Sequence, residues 1–128
     1  MSCFWDAIIR CISLNEMNTV FKTNYSIITP KLLAENLKIN NKKTETVIWN
    51  GKDLSSSELT NHKEHIDCYD VNTINNGYWC SSCDPFLILI SELFNISITN
   101  NFNGIKINYT NTISNKVIYL NNNNSHMR

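Results

Sequence analysis

Apolar residues near the start of the chain recur at helical spacing. Trp5, Ile8, Ile9 and Ile12 share one face, and Asp6, Arg10 and Ser13 fall on the other, which predicts an amphipathic helix. Asp6 stands one turn ahead of Arg10, an order that suits both the side-chain pair and the helix dipole. Residues 15–23 read as polar and irregular. Thr29 as N-cap and Pro30 at the first helical position then predict a helix over residues 29–38, with Leu33 and Leu37 as its buried stripe. Thr46 to Trp49 is apolar enough for a short strand, turned by Asn50-Gly51. Ser55 to Glu58 offers several caps and an acidic first turn, so a polar surface helix is expected from about Ser56 to Ile66.

Asp67 to Asn76 shows no strong period and ends in an Asn76-Gly77 turn. The strongest element follows. Asp84 caps, Pro85 starts, and the body through Phe94 is apolar almost all round, which requires a central helix. Past Asn95 the period changes to two, and Ile96 to Thr99, Ile105 to Thr110 and Lys116 to Leu120 read as three strands of one sheet. Asn121 to Asn124 reads as a polar loop ahead of the final Ser125-His126-Met127-Arg128. Helices first and strands last predict an α+β domain over residues 1–128, its N-terminal helices and one central apolar helix packed on a small C-terminal sheet.

Composition narrows the partners. Eleven basic residues balance eleven acidic ones and no basic stripe is visible, so nucleic acid is not expected as a partner. The longest apolar run, Pro85 to Leu93, is broken by Ser91 and Glu92 and is too short to cross a bilayer, so no membrane is expected either. Five cysteines, at 3, 11, 68, 80 and 83, follow no secretory leader, which points to free thiols in a reducing cytoplasm. The Asn-x-Ser/Thr triplets at 24, 95, 108 and 123 then carry no glycosylation meaning. Twenty-two Asn and seventeen Ile read as the coding bias of an AT-rich genome, such as that of a large DNA virus.

Several residues invite chemical readings. Cys3 lies where unpaired backbone N–H groups and the positive end of a helix dipole favour a thiolate; the bland reading is a small buried cysteine. His62, His65, Cys68, Cys80 and Cys83 supply metal-type donors with zinc-like spacing, so a zinc-binding protein is one alternative. Trp79 is either core filler or the wall of a groove that guides a peptide tail, with core the safer reading. Asp84 reads as an N-cap, not a catalytic acid, and Trp5, Phe86 and Phe94 read as core.

Three segments in order resemble the OTU (ovarian tumour) cysteine proteases. Cys3-Phe4-Trp5-Asp6-Ala7-Ile8 resembles the opening of that family's nucleophile helix. Gly77-Tyr78-Trp79 and the run from Asp84 to Ile98 are similar to its Trp-containing turn, apolar helix and following strand. Lys116 to Leu120, a polar loop and His126 are similar to the late strand that leads to its catalytic histidine. The resemblance implies a papain-like deubiquitinase with Cys3 as nucleophile, His126 as base and Trp79 beside the substrate tail, acting on ubiquitin or a ubiquitin-like protein without a metal or cofactor. His62 and His65, on a helix expected to be exposed, fit the base less well. The third member of the triad would fall at Arg128, which cannot accept a proton from imidazole, leaving Asp6 or an Asn within 121–124 open. Only Met1 and Ser2 stand where the family carries its oxyanion loop, so the same fold acting as a protein-binding module is the other alternative.

Overall fold

The computed structural model describes residues 3–123 and 126–127, with 123, 126 and 127 described by their backbone. The first helix, α1 (Cys3–Cys11), buries Phe4, Trp5, Ala7 and Ile8. Ile12, just past its end, is buried too. Where the polar stretch 15–23 suggested irregular chain, a second helix forms, α2 (Leu14–Phe21). Its cause is a capping box: the Ser13 hydroxyl accepts from the Glu16 N–H while the Glu16 carboxylate accepts from the Ser13 N–H. Met17 and Phe21, one turn apart, bury the only face this short helix needs. Lys22, in the left-handed region at φ 56°, ends it.

Helix α3 (Pro30–Ile39) starts as its cap demands, with the Thr29 hydroxyl accepting from the Leu32 N–H, and buries Leu33, Ala34 and Leu37. Strand β1 (Val47–Trp49) follows and turns at Asn50 and Gly51, both with positive φ. Helix α4 (Ser56–Cys68) has a second capping box, Ser55 with Glu58, and buries only Ile66, as a surface helix should. After a short 3₁₀ helix (Val71–Asn76) comes α5 (Pro85–Phe94), in which every residue except Leu93 is buried.

Strands β2 (Ser97–Phe102), β3 (Ile105–Asn111) and β4 (Val117–Asn123), with β1 and a two-residue β5 (His126–Met127), form one mixed sheet in the order β1-β3-β2-β4-β5. β2 and β4 run parallel, and the other pairs antiparallel. Asn121 to Asn123 belong to β4 and not to a loop, because the pairing with β2 continues through Asn101↔Asn121 and Phe102↔Asn122. Asn composition argues for a loop, but register decides. Ile98, Ile107, Tyr109, Ile118 and Leu120 are buried on the sheet, and with the helices they make one hydrophobic core. The architecture is α+β, with helices packed around an apolar α5 that lies on the sheet. No helix among the described residues is long and apolar enough to cross a membrane.

Glu92 fastens the chain ahead of β1 to α5. Its carboxylate accepts from the Thr44 and Thr46 hydroxyls and from the Glu45 and Thr46 N–H groups, and Lys42 Nζ stands 3.6 Å away. Burial alone would raise its pKa, but these donors outweigh burial and bring it down to about 2 from 4.5. A carboxyl whose pKa falls on folding stabilises the fold above its unfolded value, and that contribution is lost as pH drops through its folded value. We expect Glu92→Gln to cost up to about 3 kcal/mol near neutrality. Urea unfolding followed against pH should show this difference shrinking between pH 4.5 and about 2. A gap that is constant across that range would mean that the charge of Glu92 is not what its donors stabilise.

Candidate functional site

Cys3 is the first residue of α1, partly buried against the core. The next two residues point inward. The Phe4 ring meets Trp5 edge-on at 4.9 Å and lies 4.6 Å from Tyr78, and Trp5 lies 5.7 Å from Tyr78 and 4.9 Å from Phe86. The Gly77-Tyr78-Trp79 turn is thereby held against the first turn of α1. Trp79 itself is 72% exposed, which corrects the reading of it as core. Tyr78 and Cys80, its neighbours in an extended stretch, take the two inward positions, so alternation turns Trp79 outward.

The segment from Gly77 to Asp84 is built around one carboxylate. Fully buried Asp84 accepts from the Tyr78 hydroxyl at 2.8 Å, the Ser81 N–H at 3.0 Å, and the Phe86 and Leu87 N–H groups at 3.0 and 3.3 Å. The last two bonds are the cap of α5 that the sequence led us to expect. Burial raises the Asp84 pKa, and the bonds from Ser81, Tyr78, Leu87 and Phe86 oppose that rise. The Asp84 N–H donates to the Tyr109 hydroxyl, which donates in turn to the Ser82 carbonyl, so β3 holds the loop as well.

Below this loop Cys80 is buried, and its sulfur accepts from the Asn100 amide at 3.7 Å. Burial and the nearby Asp84 push its thiol far above the ordinary range. Asn122 is buried close by on β4. From there β5 folds back antiparallel, pairing Asn122 with Met127 and Asn123 with His126, and its Cα atoms come within 8 Å of those of α1. The structure thus sets the strand that carries His126 beside the helix that begins with Cys3. Met1, Ser2 and Arg128, which bear on the oxyanion loop and the third triad position, lie outside the described residues.

The metal-type donors do not converge. Among the described residues no three His, Cys, Asp or Glu side chains gather as a metal cluster. His65 lies against Tyr78 and Phe86, Cys68 is exposed, and Cys80 is engaged by Asn100. Two of the five do meet: Cys83 Sγ is 3.9 Å from His62 Nε2. Burial, then the negative charges of Glu58 and Asp84, raise the Cys83 thiol to about 11, and burial lowers His62. The pair is a neutral thiol beside a neutral imidazole, not an ion pair ready for attack. Sequence reasoning placed His62 on an exposed helix and missed this contact. The available signal was its position one turn before Ile66, the one buried residue of α4, which puts both on the same face.

No protein-family model, curated protein or solved structure matches this chain. The geometry around α1 is therefore what bears on function. The environments of the thiols give a direct test. In the folded protein, Cys80 should resist a maleimide, and Cys83 should react slowly near neutrality and faster as pH approaches about 11, with both labelled quickly once urea unfolds the chain. Peptide mass spectrometry reads the sites. Fast labelling of Cys83 at neutral pH would contradict the neutral pair.

Proposed function

We propose that this protein is an OTU-like cysteine isopeptidase that hydrolyses the bond after the C-terminal tail of ubiquitin or a ubiquitin-like protein. The observation that carries the proposal is the approach of β5, which bears His126, to α1, which opens with Cys3. In this reading the positive end of the α1 dipole favours the Cys3 thiolate. The His126 imidazole takes the thiol proton, the sulfur adds to the carbonyl carbon, and the imidazolium then gives its proton to the departing lysine amine. Water releases the acyl group in the second half of the cycle. The reaction uses no metal or cofactor.

Trp79 fits the part of substrate wall. It is exposed, its neighbour Tyr78 packs on the residue next to Cys3, and the buried carboxylate of Asp84 holds the turn in place. An exposed aromatic surface on the turn that packs against α1 suits an extended, glycine-rich tail, which has little side chain of its own to orient it. With ubiquitin as substrate, the place of action is the cytoplasm.

The test is a ubiquitin probe with a C-terminal electrophile. One adduct should form on Cys3, disappear in Cys3→Ala, and form roughly a hundredfold more slowly in His126→Ala, the loss expected when a general base is removed. Absence of an adduct, or equal labelling in Cys3→Ala, would refute the enzyme. Tight ubiquitin binding without an adduct, unchanged in His126→Ala and lost in Trp79→Ala, would favour the binding module instead.

A further inference from the structure

We propose that His62 and Cys83 form a two-donor site for a thiophilic divalent cation, with zinc as the probe, that ties α4 to the start of α5. The inference does not rest on the isopeptidase reading. Its basis is the span of 3.9 Å between Sγ and Nε2, drawn from two elements that are each held independently. Cys83 immediately precedes the Asp84 cap of α5, and His62 sits on the inward face of α4, which packs on α5. With zinc bonds of about 2.3 Å to sulfur and 2.0–2.1 Å to nitrogen, that span corresponds to an S–Zn–N angle of roughly 125–130°. A tetrahedral angle would need about 3.6 Å, a change of some 0.3 Å that the side-chain torsions supply.

The surroundings favour a cation there. Glu58, one turn before His62 on α4, and buried Asp84 both bear on the pair with negative charge. The ring nitrogen that would ligate the ion, Nε2, is the one that faces the thiol. On binding, the thiol loses its proton to solvent, the sulfur and Nε2 donate to the ion, and water fills its remaining positions. Among the described residues no third protein donor completes a cluster. The consequence is mechanical, since an ion in this site would clamp α4 to the segment that carries Trp79.

The experiment uses the full chain, reduced and cleared of metal with a chelator. Zinc is titrated against a chromophoric chelator, and cobalt(II) is added separately to read the thiolate-to-cobalt charge-transfer band. We expect one equivalent to bind, with Cys83→Ser and His62→Ala each weakening affinity at least about tenfold and Cys83→Ser abolishing the band. Cys3→Ala, Cys68→Ser and His65→Ala should leave both unchanged. Zinc should also slow backbone hydrogen exchange in α4 and residues 77–84, a readout that any folded variant can give. Equal affinity in wild type and Cys83→Ser, a band that survives Cys83→Ser, or no protection of those segments would overturn the site and leave a thiol–imidazole hydrogen bond only.

Discussion

The carboxylate of Asp84 is the constraint on which the rest depends. Removing a carboxylate from water is costly unless its oxygens are fully engaged, and here two oxygens share bonds from two hydroxyls and three backbone N–H groups. Those donors belong to two structures at once. Phe86 and Leu87 are the first turn of α5, and Tyr78 and Ser81 are the loop ahead of it. A single residue therefore starts the central helix and folds the preceding segment back on it. Any arrangement that satisfied one set and not the other would leave a buried charge half paired.

From that point the packing follows. Helix α5 is apolar almost all round, so it needs cover on every side, and the sheet and the helices provide it. Tyr78, fixed by Asp84, joins Phe4, Trp5, Tyr69 and Phe86 in a cluster of rings 4.6–6.0 Å apart. Most of these contacts are edge-on or tilted, the arrangements that the charge distribution of aromatic rings favours. The cluster sets the first turn of α1 against the loop, and β5 reaches the same helix from the sheet side. The proposed site is a product of this convergence. The segments proposed to supply its aromatic wall, nucleophile and base are far apart in sequence.

What could be read from residues alone was the part governed by local chemistry. Asp84-Pro85 followed by ten nearly unbroken apolar positions leaves little choice but a capped, buried helix, and Thr29-Pro30 announces α3 in the same way. The alternating runs after Asn95 fixed three strands. Helix α2 was legible in principle, because Ser13-x-x-Glu16 is a capping-box signature, but the Asn and Thr residues after it masked a face that only Met17 and Phe21 define. The strand at Asn121 to Asn123 was not legible, because its pairing is set by β2, and a strand's register is tertiary information. The same limit hid the meeting of His62 with Cys83. Trp79 was placed inside on the general habit of tryptophan, whereas its exposure follows from which of its neighbours the Asp84 carboxylate and the core had already claimed.

The central physical claim is that Asp84 holds the loop through Tyr78, so that the aromatic cluster and the start of α1 are supported by a buried charge. A double-mutant cycle on unfolding free energy, with Asp84→Asn, Tyr78→Phe and the combination, measures that link directly. A coupling of about 1–3 kcal/mol is expected, the range for contacting groups in one network and for a hydrogen bond to a charged acceptor. Single effects that simply add would show that the carboxylate and the hydroxyl act independently, and the account of how the site is supported would fail.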